Sequence, residues 1–572
     1  MNYSISFQYP EQHYINISLR TETKGAKQLY FQLPAWRPGR YELGNFAKNI
    51  QQWQAFDETG KILSSKKLTK DRWEVACEGA KEVQVKYNYF ANELNAGSSY
   101  LDENQLYVNP VNCLIYNEKE AHRPCELILE LPANYNCAIG LEKQGRSTYL
   151  AKDFDELADS PFIASASLQH LTFKESQTTF HLWFQGELKL DEKLLIGDFS
   201  AFAKEQIKLF GDFPADDYHF LFQIVPHRFY HGVEHSNSTV IVLGPSYDVL
   251  KEEGRYEDLL GVSSHELFHT WNVKRIRPIE MWPYDFTKEN YTRLGYLTEG
   301  ATTWYGDLML YRSEVFGDAA FFRTFNQILD RHYNNPGALN LSVADSSFDT
   351  WLDGYGTGVP NRKASIYTEG ALITFLLDVE IRKATQNKSS FDHVMRAFYE
   401  DIYKNNKGVS ELDYRETIER VANRKLDHYF DNFINGSEDF NLELEEALDY
   451  LGLKMTRKPA EQFHEAYLGV KLLEDKVYSI FPNSPAEKSK IGIGDQIIAI
   501  NGIKLEANLS EWLAYFKADK IHLDLITAAG FYKQSTVSLT NEFFYCKYEL
   551  AKVENLNNQQ EGAFKIWKET IV

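Results

Sequence analysis

Five consecutive residues, His265-Glu266-Leu267-Phe268-His269, carry the most chemically loaded spacing in this chain. On an α-helix, positions i and i+4 share one face a turn apart, so both imidazoles can close on one cation. Glu266 sits one step round the helix, where it can reach a water on that cation without being a ligand. A catalytic zinc takes three protein ligands and keeps a fourth position open. The third should be a carboxylate on a downstream helix packed against the first. Glu299, within the run Leu294–Asp307, supplies it, and the small pair Gly300-Ala301 behind it permits close helix approach. Asp307, further along the same run, is a candidate acceptor to orient an imidazole.

These residues need a scaffold, and composition bounds it. With 572 residues the chain exceeds one core and points to two to four domains. A hydrophobic content of 43%, with 14% aromatics, suits a globular interior. The net charge of −20 disfavours nucleic acid and anionic lipid as partners. Cys77, Cys113, Cys125, Cys137 and Cys546 are odd in number and lack C-x-x-C spacing, so neither a disulfide framework nor a thiolate zinc site is expected. No stretch approaches a bilayer span, and the first ten residues show neither a basic nor an apolar leader pattern. A cytoplasmic location with no membrane partner is the expectation.

Period-two alternation in Tyr14–Arg20, Glu82–Phe90 and Glu126–Leu131 predicts an all-β unit over residues 1–168. The breaker-rich block Leu33–Tyr41 reads as a packed corner of that unit, with a substrate contact as the alternative. Strands continue at Thr178–Phe184, Tyr218–Val225 and Ser238–Leu243, and helical period takes over after Tyr256. Helices are expected over Tyr367–Arg382 and Phe391–Tyr403, with a long cleft-lining loop at Ser346–Lys363. Strands followed by helices make residues 169–445 an α+β unit. The charged stretch near 440–462 reads as a junction. Strand-like runs follow to 545, and residues 546–572 form a polar tail that either docks back or frays.

In its H-E-x-x-H and its Thr298-Glu299-Gly300 motif the chain resembles the gluzincin metallopeptidases. The 29 residues from Thr270 to Thr298 exceed the usual aminopeptidase N interval. With Thr270-Trp271-Asn272-Val273-Lys274-Arg275 directly after His269, they resemble the glycyl aminopeptidase family. That resemblance implies a thermolysin-like catalytic domain with Zn2+ held by His265, His269 and Glu299. By the same resemblance Glu234, in Gly232-Val233-Glu234-His235, binds the substrate's α-ammonium, although Val233 and His235 replace Met and Asn. The resemblance also implies that Tyr367 stabilises the oxyanion, although Glu369 stands where relatives carry Lys. Lys274, Arg275 and Arg277 are read as partners of the C-terminal end of the His helix.

Tyr467-Leu468-Gly469-Val470 and the run Ile491–Leu505, with its Gly-Asp-x-Ile-x-x-Ile-Asn-Gly pattern, resemble a PDZ domain over 446–545. A peptide C-terminus is the expected ligand of its groove, unless the neighbouring domain closes it. The sequence thus predicts a multidomain α+β protein: a sandwich-like β domain, a metallopeptidase domain and a PDZ domain. The expected activity is zinc-dependent removal of N-terminal residues, Gly or Ala by resemblance, from peptides with a free N-terminus. The rivals are a non-catalytic peptide-binding scaffold and a zinc endopeptidase. Glu266 is the expected base.

Overall fold

The computed structural model describes residues 1–251, 255–356, 358–516 and 520–571. The chain is a multidomain α+β protein, with a β-rich N-terminal part followed by a helical body. In the strand Tyr14–Glu22, Ile15, Ile17 and Leu19 alternate inward with outward polar residues, the period-two pattern of a half-buried strand. That strand belongs to an eight-stranded sheet. Asn2–Ser6 runs parallel to Cys125–Glu130 there and antiparallel to Tyr14–Glu22. A four-stranded sheet built on Gln28–Gln32 and Arg72–Ala76 faces it. Ile17, Val85 and Leu127 from one sheet and Phe31 and Val75 from the other fill a common core.

The block Leu33–Tyr41 does more than turn a corner. It leaves the strand Gln28–Gln32 and reaches the helical body, where Trp36 Nε1 donates to Asp285 O at 2.7 Å and the indole packs edge-on against Trp351.

A five-stranded sheet carries the next layer, in the order Gln169–Glu175, Thr178–Gln185, Asp217–Ile224, Ser238–Gly244, Phe229–Glu234. Phe229–Glu234 is the antiparallel edge and ends with Glu234 opposite Thr239. Ile241, Leu243, Phe220 and Phe222 from this sheet share one core with the helices that follow. Two sequence expectations shift here. The interval 346–363 begins as short helices, Val343–Phe348 and Thr350–Asp353, because Ser342 caps the first by accepting from Asp345 N. The stretch near 440–462 holds a helix, Asn441–Tyr450, and a strand, Leu453–Pro459.

Strands Val470–Leu473, Lys476–Ile480, Gln496–Ile500, Ile521–Ile526 and Tyr532–Val537 form a further sheet with its own small core around Val477, Ile500, Leu513 and Leu523. The chain then returns to the helical body. Cys546–Lys552 pairs with Leu453–Pro459 and is pinned to the helix Asp318–Tyr333 by Asp330 Oδ1, which accepts from Tyr548 N at 2.7 Å. The final helix, Asn558–Trp567, opens with an Asn557–Gln560 capping box and buries Trp567 beside Trp304, Phe321 and Phe375. All five cysteines are free. Among the described residues no helix is long and apolar enough to cross a membrane.

Candidate active site

The helix Tyr256–Phe268 carries Glu257 and Asp258 in its first turn, which suits its positive end, and closes on His269. His265 and His269 bring their Nε2 atoms to 3.0 Å of each other. His269 Nδ1 donates to Asn272 O at 2.8 Å, which directs Nε2 to the shared point. The turn that aims this carbonyl holds Val273 at φ 120°, a conformation β-branched residues rarely take. The Asn272 side chain donates onward to Leu297 O at 2.8 Å and Thr302 Oγ1 at 2.9 Å, tying the His turn to the segment bearing Glu299.

Glu299 lies in a π-helical turn, Tyr296–Ala301, that leads into the helix Thr302–Arg312. Such wide turns are uncommon and gather at functional sites. Three glycines let these helices meet. A Cβ on Gly306 would sit 3.1 Å from His265 Cα, and one on Gly300 would sit 2.4 Å from Gly370 Cα. Gly370 belongs to the helix Ile366–Thr385, so the second contact draws the helix that starts with Tyr367 against the Glu299 turn. The result places one ligand atom each from His265, His269 and Glu299 within 4.8 Å of one another.

Glu266 and Glu234 border the same cleft, which encloses about 750 Å³ and is also lined by Tyr367. Glu266 is 5% exposed. One of its oxygens rests where a Gly232 Cβ would be, at 2.2 Å, and the other, Oε2, has no hydrogen-bond partner. Burial pushes its carboxyl up to about 8; His269 opposes that, and the charges of Glu234 and Glu299 add to it. Glu234 is 6% exposed at the end of the edge strand, and its oxygens stand 2.4 and 2.5 Å from where a Gly39 Cβ would be. Tyr367 remains 39% exposed, in the first turn of a helix capped by Ser365.

Burial works against a charged His269, yet Glu299, together with Glu234 and Glu266, outweighs it and holds the imidazole raised to about 9. Burial and His269 together hold His265 well below its ordinary value. Two imidazole nitrogens and one carboxylate oxygen are the donor set of a catalytic zinc. Nitrogens bound at about 2.0–2.1 Å to one tetrahedral ion stand about 3.3 Å apart, close to the 3.0 Å seen here. The donors therefore fit a zinc ion.

Residues 2–166 match the Peptidase M61 N-terminal domain, and residues 258–373 match the M61 glycyl aminopeptidase domain. The chain carries Peptidase M61 domains. The crystal structure of an aminopeptidase N family protein from Idiomarina loihiensis is similar over 99% of this chain and 99% of that one, with 25% identity and a TM-score of 0.89. An M1 zinc metallopeptidase from Deinococcus radiodurans, solved with a Tyr-Ser-Ala substrate, is a more distant likeness at 13% identity and a TM-score of 0.46, over 73% of this chain and 89% of that one. No curated protein matches the chain. The M61 matches support a peptidase.

Residues of the block Leu33–Tyr41 enter the site from far along the chain. Tyr41 donates to Glu299 Oε1 at 3.4 Å across 258 positions, and Gly39 forms the wall behind Glu234. The basic run after the His helix is mostly spent on bracing. Lys274 Nζ pairs with Asp159 Oδ1 at 2.8 Å, and Arg277 stacks 3.7 Å from the centre of the Tyr284 ring. Arg275 donates to Thr270 O at 3.0 Å, just beyond the helix. Asp307 borders the cleft but hydrogen-bonds neither imidazole. It lies against Thr324, where burial pushes it up to about 6. The acceptor that orients His269 is a backbone carbonyl.

Proposed function

We propose that the protein is a zinc-dependent aminopeptidase of the M61 type, removing small N-terminal residues, Gly or Ala, from peptides. The observation that carries this reading is the convergence of His265, His269 and Glu299 on one point, with Glu266 and Glu234 bordering the same cleft. A zinc ion held by those three side chains would supply Lewis-acid polarisation of the scissile carbonyl and would acidify a water. Glu266, almost removed from solvent, takes that water's proton and returns it to the leaving amine. Tyr367, which lines the cleft, donates to the carbonyl oxygen as it gains negative charge. Glu234 pairs with the α-ammonium, and the wall formed by Gly39 behind it limits cleavage to the first residue. Asn272 holds His269 in the tautomer that presents Nε2.

The test has two arms. Metal analysis of the purified protein should find about one zinc per chain, as one closed ligand set implies. Gly- and Ala-anilides should be turned over while N-acetylated peptides are not. Cleavage of blocked peptides at the full rate would replace the aminopeptidase reading with an endopeptidase. In Glu234→Gln, KM for a free-amine substrate should rise about 10-fold or more, the worth of one charge-assisted hydrogen bond. An unchanged KM would remove the α-ammonium role. In Tyr367→Phe, kcat should fall about 10²–10³-fold with KM nearly constant. A change confined to KM would make Tyr367 a binding residue.

Domain limits of 1–168, 169–445, 446–545 and 546–572 belong to the same proposal, with 446–545 as a PDZ domain. Its support is the separate core around Val477 and Leu523, together with glycines at positive φ at Gly469 (78°) and Gly494 (83°) in the two motif loops. A peptide C-terminus is its proposed ligand.

A further inference from the structure

The segment that walls off Glu234 has a second side. Gly39 faces the cleft, but Arg37 and Arg40 line a separate cavity of about 400 Å³ between residues 37–49 and the turn at 92–99. That volume lies within the range of about 300–1,000 Å³ that ligand pockets occupy. In a chain of net charge −20 the lining is locally basic, with Arg37, Arg40 and Lys48 against Glu42 and Glu93. Arg40 is already engaged, since its Nε and Nη2 both donate to Glu42 Oε2, at 3.1 and 2.6 Å. Glu93 Oε1 accepts from Asn95 Nδ2 at 2.6 Å.

Arg37 has no such partner. The residue is 4% exposed, and its one hydrogen bond among the described residues runs from Nη1 to the neighbouring Pro38 O at 3.2 Å. Nε and Nη2 find no acceptor there. Neither belongs to the side-chain atoms that the fold seals away without a partner, so both keep accessible surface. No carboxylate forms an ion pair with Arg37 among the described residues; Glu234 acts on it only through space, from beyond Gly39. The guanidinium is also held in place. It lies over Gly97, where a Cβ would stand 2.2 Å from Nε and 2.3 Å from Nη2. Gly97 is fixed in turn: its N–H donates to Asn95 Oδ1 at 2.8 Å, and its carbonyl accepts from Asn112 Nδ2 at 2.9 Å. Buried cations are ordinarily paired, because nothing else offsets their lost hydration. A planar edge of two N–H groups, fixed beside a cavity, matches the two oxygens of a carboxylate.

We propose that this cavity binds a small organic anion, its carboxylate set across Nε and Nη2 of Arg37 and its carbon body against Leu43, Phe46 and Phe90. Lys48, exposed and without an ion pair among the described residues, adds attraction at the rim. The site lies across the segment 37–41 from the cleft, and it does not depend on the peptidase reading.

Succinate is a suitable probe, titrated calorimetrically into the full chain in a low-salt buffer. One equivalent should bind. Succinamide, the same body without the charge, should bind about tenfold or more weakly. Arg37→Met, which removes the guanidinium and keeps an unbranched side chain over Gly97, should weaken succinate by a similar factor. Lys48→Glu, on the exposed rim, should weaken it about threefold whether or not the Arg37 variant folds. Inorganic phosphate, which has no carbon body, should bind more weakly than succinate. Succinate binding that is unchanged in Arg37→Met or in Lys48→Glu overturns the assignment, as it would if the anion sat at the metal instead. Equal binding of succinamide, phosphate binding as tight as succinate, or the absence of any saturable binding does the same.

Discussion

The Glu266→Gln protein is expected to keep its metal and its fold and to lose turnover by about 10²–10⁴-fold, the range general-base catalysis supplies. The substitution removes the basic oxygen and leaves size and packing nearly unchanged, so the amide still fits against Gly232, where no Cβ could stand. Glu266 is not among the three converging ligand side chains, so metal content should match wild type. That pairing of outcomes matters, because loss of metal would explain inactivity without any role for a base. Activity within about tenfold of wild type, with zinc retained, would remove Glu266 from the mechanism. Glu266→Asp provides a control. It restores a carboxylate but withdraws it by one methylene, so partial recovery is expected if proton transfer is limited by reach.

The second large effect is expected behind the cleft wall, at Asp159. Its carboxylate pairs with Lys274 Nζ at 2.8 Å, meets His235 Nδ1 at 3.1 Å and accepts from Ser236 N at 2.9 Å. One residue from the end of the β-rich part thus holds the turn after the His helix and the residues that follow Glu234. The Lys274 side chain is 1% exposed. Burial opposes its charge, but Asp159, helped by Tyr284 and Glu234, outweighs it and keeps its pKa raised. Asp159→Ala would strand that ammonium, a loss of about 3–5 kcal/mol for a buried pair broken on one side. The melting transition should fall by several degrees, and KM for free-amine peptides should rise as the end of the edge strand loosens. A melting temperature unchanged from wild type would mean that Lys274 finds another partner and that the bridge contributes little.

The same residue sets a pH dependence. Burial alone would raise the Asp159 carboxyl, but Lys274 and His235 hold it far below the ordinary carboxylate range. A carboxylate depressed in the folded state stabilises fully above its unfolded pKa, about 3.9, and loses that contribution as pH falls toward its folded value. The difference in melting temperature between wild type and Asp159→Ala should therefore be constant near neutrality and shrink below about pH 4. A difference that grows on acidification would contradict the assignment.

Much of this site was legible from local spacing. Two imidazoles four residues apart must share a face if the segment is helical, and the apolar period around them makes it so; the helix Tyr256–Phe268 follows from residues next to one another. The helix Ile366–Thr385, with Tyr367 in its first turn, comes from an apolar run that reports its own environment in the same way. The Gly300-Ala301 pair signalled a close approach, though not its partner, Gly370.

Patterning has no view of what arrives from elsewhere in the chain. Tyr41 meets Glu299 across 258 positions and Asp159 meets Lys274 across 115, and neither residue's neighbourhood names its partner. A packed corner at Leu33–Tyr41 and a substrate wall look alike in sequence, because both need breakers and aromatics. The His269 acceptor is a main-chain carbonyl, which every residue possesses and no motif can mark. Residue spacing therefore set the chemistry available to this protein, because ligand geometry on one helix is local. The closed end of the cleft and its bracing were settled by packing between distant segments, where any of many surfaces could have met.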